Sequence, residues 1–172
     1  MNKKTIYKLA GIAAIITAIL IIPQFVLALF LQFKENSTLE AIELVFTIFV
    51  MIVALITLYG YYTIARLQKF KTLKIYSLIS MAIVAVSVFH YFVKDIMWIS
   101  VAALIIYGII YILFGVALRK IKAIKYSNTL GWLYIVSGAF ACTVFLAVLA
   151  PFLSIAISIL EAKMFLGKAK EK

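Results

Sequence analysis

Apolar residues in this chain come in long runs rather than in alternation. Five runs can be traced: Ile6 to Phe33, Leu39 to Ala65, Ile75 to Val93, Ile96 to Leu118 and Leu130 to Leu160. A helix needs roughly 20 apolar residues to cross the hydrocarbon of a bilayer. Stretches such as IIYGIIYILFGVAL (105–118) lack the period-two alternation of a membrane barrel strand. In lipid, backbone polar groups must be bonded within the segment itself, which a helix achieves. The pattern predicts an all-α integral membrane protein: a five-transmembrane-helix bundle forming one membrane domain over residues 1–172.

The first run follows a basic start, as a signal sequence would, but is too long for a signal-peptide core. It reads as a true span, kinked or tilted near Pro23. The last run is long for one crossing and short for two, and Pro151 lies inside it. Proline in a helix removes a backbone donor and clashes with the preceding turn. Either the lysine-rich tail EAKMFLGKAKEK is external, or the chain turns back after Pro151. The external tail is the expectation, since charge at a last span weakly constrains orientation.

Charged residues fall between the runs. Lys3, Lys4 and Lys8 precede the first. Arg66, Lys69, Lys71 and Lys74 follow the second, and Arg119, Lys120, Lys122 and Lys125 follow the fourth. These segments contain no Asp or Glu. The opposite loops hold Lys34 and Lys94 with Glu35, Glu40, Glu43 and Asp95. Loops rich in Lys and Arg stay cytoplasmic, which places the N-terminus and both basic loops inside. The eight basic residues of the two loops are candidate contacts for anionic lipids, worth about 1 kcal/mol each near a charged surface.

The basic loops share a motif, KFKTLK at 69–74 and KIKAIK at 120–125. In register, Leu67, Phe70 and Leu73 match Leu118, Ile121 and Ile124, each set on one helix face. Two readings stand: a tandem helical-hairpin repeat, 39–93 and 96–160, of a kind known in transporters, or the lysines that the positive-inside rule puts in any two short inner loops. The apolar pairs would let each loop lie as a short helix at the lipid boundary.

Composition agrees with the membrane reading: 67% of the 172 residues are hydrophobic and mean hydropathy is +1.18, against about 45–50% apolar residues in soluble domains. The net charge of +11 resides in short gaps rather than on a soluble basic face, which argues against a nucleic-acid partner. Cys142 is the single cysteine and His90 the single histidine. Together they supply neither a disulfide, a zinc or iron–sulfur ligand set, nor paired haem ligands. No cofactor and no catalytic set is expected.

One polar constellation stands out. Ser80, Ser87, His90 and Lys94 share a face of the third run, and Glu40 and Glu43 share one at the start of the second. With Asp95 they form a candidate outer polar cluster of Glu40, Glu43, His90, Lys94 and Asp95 for a cation or small polar ligand, in which His90 would sense pH. The competing reading is interfacial ion pairing and helix capping. Ser154, Ser158 and Glu161 form a further stripe, also assigned to the outside, so that no acid is expected near the middle of a span. Tyr107 and Tyr111 lie deeper, placed to pack the core or line a pocket. Tyr59, Tyr61, Tyr62, Trp98 and Trp132 read as interface aromatics. Small residues at Ala10, Ala14 and Ala18, and at Gly131 and Gly138, permit close helix approach within a bundle, an oligomer or a larger complex.

The stretch LRKIKAIKYSNTLGWLYIVSGAFACTVFLAVLAPFLSIAISILEAKMFL (118–166) resembles the end of uncharacterised small multi-pass membrane families of bacteria and archaea. There a basic inner loop leads to a glycine-marked last helix. The resemblance implies a prokaryotic five-helix protein and carries no activity. Substrate-capture subunits of bacterial vitamin transporters are similar in size and basic N-terminus, but normally have six helices. The expected function is a non-enzymatic accessory or scaffold subunit in the plasma membrane, partnered by lipid and by other subunits or copies of itself. The alternative is a small transporter or channel with the outer cluster as its mouth.

Overall fold

The computed structural model describes residues 2–33, 37–91, 97–121, 124–143 and 149–171, with the backbone alone for 32, 33, 88–91 and 97. The described chain forms six α-helices. They are α1 (Lys3–Phe33), α2 (Ser37–Leu67), α3 (Lys71–Tyr91), α4 (Met97–Arg119), α5 (Ser127–Cys142) and α6 (Ala150–Lys170). Four of them, at Lys3–Leu31, Ser37–Leu67, Trp98–Arg119 and Ala150–Lys170, are long and apolar enough to cross a membrane. Their outward faces carry large exposed apolar side chains, among them Ile19, Phe30, Val45, Ile106 and Phe152. An apolar surface of this extent suits lipid rather than water.

The expected single helix over 130–160 is two helices. Helix α5 ends at Cys142, and α6 begins at Ala150 with Pro151 in its first turn. Proline is tolerated there because the first-turn N–H has no intrahelical partner, whereas inside a continuous helix it would break the ladder. Each helix packs on its neighbours in sequence, and α6 packs back on α1, so the six form a closed ring. Helices α1 and α6 run antiparallel: Phe25 meets Phe152 edge to face at 6.0 Å, and Gly11 lies against Leu166. The lysine-rich tail therefore ends beside the N-terminus and the basic loops, not at the opposite end as expected.

The two basic motifs occupy different local structures. Lys69 has φ 60, and the Phe70 N–H donates to the Ala65 carbonyl at 2.9 Å. This is the left-handed stop of a helix C-terminus, and α3 starts within the motif at Lys71. The second motif lies wholly between α4 and α5, where Tyr126 has φ 70 and the Ser127 hydroxyl donates to the carbonyls of Ile121 and Ile124. Leu67 is exposed while its counterpart Leu118 is buried. The stretch 39–93 holds two helices, whereas 96–160 holds two and the start of a third. Leu73, Ile121 and Ile124 are buried in the bundle, so both motifs turn apolar side chains into its end.

The core sits at the basic end. It is built from Tyr7, Tyr61, Ile64, Leu73, Phe114, Leu118, Leu130, Tyr134, Ile157 and Phe165, with neighbours on every helix. Farther from that end burial falls away. No described residue of α1 after Ala14, of α2 before Val53 or of α4 before Gly108 is fully buried. The ring is closed at the basic end and looser at the other.

Candidate functional site

A cavity of about 240 Å³ lies inside the ring. All six helices line it, including Thr17 and Ile21, Val50 and Thr57, Ser80 and Val84, Tyr107 and Tyr111, Tyr134, and Ser154 and Glu161. The lining residues of α1, α2, α3, α4 and α6 run from the packed basic half toward the acid-bearing end, and α5 contributes Tyr134. Glu161 lies at the closed end, roughly 13 Å from Lys170 at 1.5 Å rise per residue.

Glu161 is 4% exposed. Its Oε1 accepts a hydrogen bond from the Tyr61 hydroxyl at 2.9 Å and another from the Tyr134 hydroxyl at 2.5 Å. Burying a carboxyl group is costly unless it is hydrogen-bonded, and phenols from α2 and α5 supply that bonding across the ring. The phenols are held by an edge-to-face aromatic cluster. Tyr61 packs on Phe114 at 5.1 Å and on Phe165 at 4.9 Å, and Tyr134 packs on Phe114 at 5.0 Å and on Tyr111 at 5.4 Å. Such pairs add about 0.5–1.5 kcal/mol beyond their buried area.

Close helix approach fixes these side chains. Gly115 faces Gly131, and Gly108 faces Gly138, reciprocally across the α4–α5 seam. A Cβ on any of the four would run into the partner's carbonyl oxygen. The seam positions Phe114, Tyr111 and Tyr134 beside one another. Cys142 packs on Gly108 at the same seam. Ala10 and Ala14 are buried within the bundle, with Ala10 against Gly60.

Comparison of the chain with protein-family models, curated proteins and solved structures finds no match. The site's chemistry must therefore be read from its own residues.

The residues singled out from sequence are distributed as follows. Glu40 and Glu43 are half-buried in the first turns of α2. Glu43, Val50 and Thr57 recur at intervals of seven and so share a face, which aligns Glu43 with the cavity wall one end farther out. Ser80 lines the cavity, and Ser87 donates to the Val84 carbonyl at 2.7 Å. The His90 side chain, and Lys94 and Asp95 entirely, lie outside the described residues, as does Lys122. Arg66, Lys69, Lys71, Lys74, Arg119, Lys120 and Lys125 are exposed at the basic end. Arg119 stacks on Trp132 at 3.9 Å and reaches Asn128, Lys74 lies over Tyr62, and Lys125 over Tyr126. These cation–π contacts tie several basic side chains to the aromatic residues of the same rim.

Glu161 and Tyr61 are placed differently from the sequence expectation, and Tyr134 is a site residue the sequence did not single out. Glu161 is an acid inside the bundle, not part of an outer stripe. Reversing the direction of α6 moves it from the outer rim to the closed end. Its signal was Pro151, which marks where the direction reverses.

Proposed function

We propose that this chain is a non-enzymatic polytopic membrane protein that takes a small molecule into the central cavity from the acid-bearing side. The observation that carries the reading is the buried Glu161 at the closed end of a cavity lined by all six helices. Ionisable groups inside a membrane bundle mark ligand or ion sites by default, and transport proteins bind substrate between helices near the midplane. In this reading all six helices cross the bilayer of a prokaryotic plasma membrane. Both termini and both basic loops face the cytoplasm, following the positive-inside rule, and meet anionic lipid there. On this reading the number of crossings would equal that of transporter substrate-capture subunits.

An accessory or scaffold role is the second reading. It is favoured by an apolar groove between α1 and α6, lined by Ile15, Ala18, Ile19, Ile155, Ile159 and Leu166. Native mass spectrometry of the chain, extracted gently from its own membrane, separates the two. A reproducible small-molecule adduct that is lost when Ala54→Leu fills the cavity supports ligand capture. A stoichiometric complex with other chains and no such adduct supports the accessory role and overturns the first reading.

A further inference from the structure

The lining of the cavity selects a class of ligand. Among the hydroxyls that line it, Thr17 donates to the Ala13 carbonyl, Thr57 to Val53 and Ser154 to Ala150, each one turn back on its own helix. Tyr134 of the lining directs its hydrogen to Glu161 Oε1, as does Tyr61 from outside the lining. What these groups present to an occupant is oxygen lone pairs. Glu161 Oε2 accepts no hydrogen bond from the described residues, and no described lysine or arginine forms an ion pair with the carboxylate. A buried carboxylate is stabilised by an opposite charge with good geometry. The adjoining wall is aromatic, with Tyr107, Tyr111, Phe114 and Tyr134, and ring faces attract cations. The volume equals that of about eight liquid waters, enough for a small apolar body attached to one charged head.

Resting on the ligand-capture reading, we infer that the cavity takes an organic monocation, an ammonium group on a small apolar body. The nitrogen sits beside Glu161 Oε2 and the body lies against Tyr107, Tyr111 and Ile110. The basic residues crowd the opposite side of the aromatic floor, so the charge pattern favours entry of a cation from the acid-bearing end.

The test compares two probes of nearly equal shape, 2-phenylethylamine (charged at neutral pH) and 2-phenylethanol (neutral). Equilibrium dialysis is run against the full chain in nanodiscs of phosphatidylcholine, a lipid that does not collect amines by charge. The amine is expected to bind saturably and at least tenfold more tightly than the alcohol. Glu161→Gln, which keeps the shape and the acceptor for both tyrosines, is expected to erase that preference, and Ala54→Leu to weaken both probes. Equal binding of amine and alcohol to the unmutated chain overturns the cation assignment while leaving the cavity as a ligand site. Saturable binding of neither probe overturns both.

Discussion

Glu161 organises the interior through two hydrogen bonds that share one oxygen. A hydrogen bond to a charged group contributes about 1.5–3 kcal/mol. Tyr134→Phe removes one donor at nearly constant volume, and is expected to lower stability by about that amount, read by chemical denaturation in mild detergent. Tyr61→Phe should behave similarly. Because the two phenols share an acceptor, the double variant should depart from the sum of the singles, as contacting residues do. Additive losses would mean that the hydroxyls do not converge on Glu161. The sequence displayed all three residues but not their meeting, since Tyr61 and Glu161 are 100 positions apart. Tyr61 was read with Tyr59 and Tyr62 as an interface aromatic. Tyr59 does face outward, but Tyr61 is fully buried, the turn of a helix separating neighbours in sequence onto different faces.

At the scale of elements, the α4–α5 seam depends on backbone contact rather than side-chain interlocking. Gly131→Val would drive a side chain into the Gly115 carbonyl and the Arg119 stem. Overpacking of this kind costs about 1–3 kcal/mol or more, and is expected to reduce thermal stability and loosen Tyr134 from Glu161. Gly167 offers the contrast. A Cβ there meets nothing within 4 Å, so Gly167→Ala should be neutral or raise stability by about 1 kcal/mol through helix propensity. A destabilised Gly167→Ala variant would place that stretch of α6 against a neighbour. Glycine spacing and apolar runs were legible in the sequence as close-packing helices. Their partners were not, because apolar helices in a membrane carry weak facing information and small residues suit any neighbour. The helix break was legible only as an ambiguity: Pro151 and an overlong run signalled it, but charge at the last span did not decide the direction.

For the whole molecule, direction is what joins fold and site. With α6 reversed, the tail lysines join Lys3, Lys4, Lys8 and both basic loops at one end, and Glu161 falls between Tyr61 and Tyr134 at the closed end of the cavity. The apolar runs and the charge bias made helical membrane architecture readable from the sequence. The ring and its cavity were not, because they depend on which helices close on each other. Placement of the termini tests this account most directly. Single-cysteine variants at Lys3, Lys125 and Lys170, and at Thr38 on the other end, all with Cys142 replaced by alanine, would be labelled in oriented vesicles with a membrane-impermeant maleimide. The account predicts that Lys3, Lys125 and Lys170 label from one side and Thr38 from the other. Labelling of position 170 from the side of Thr38 would contradict it, removing α6 from the ring and Glu161 from its tyrosines.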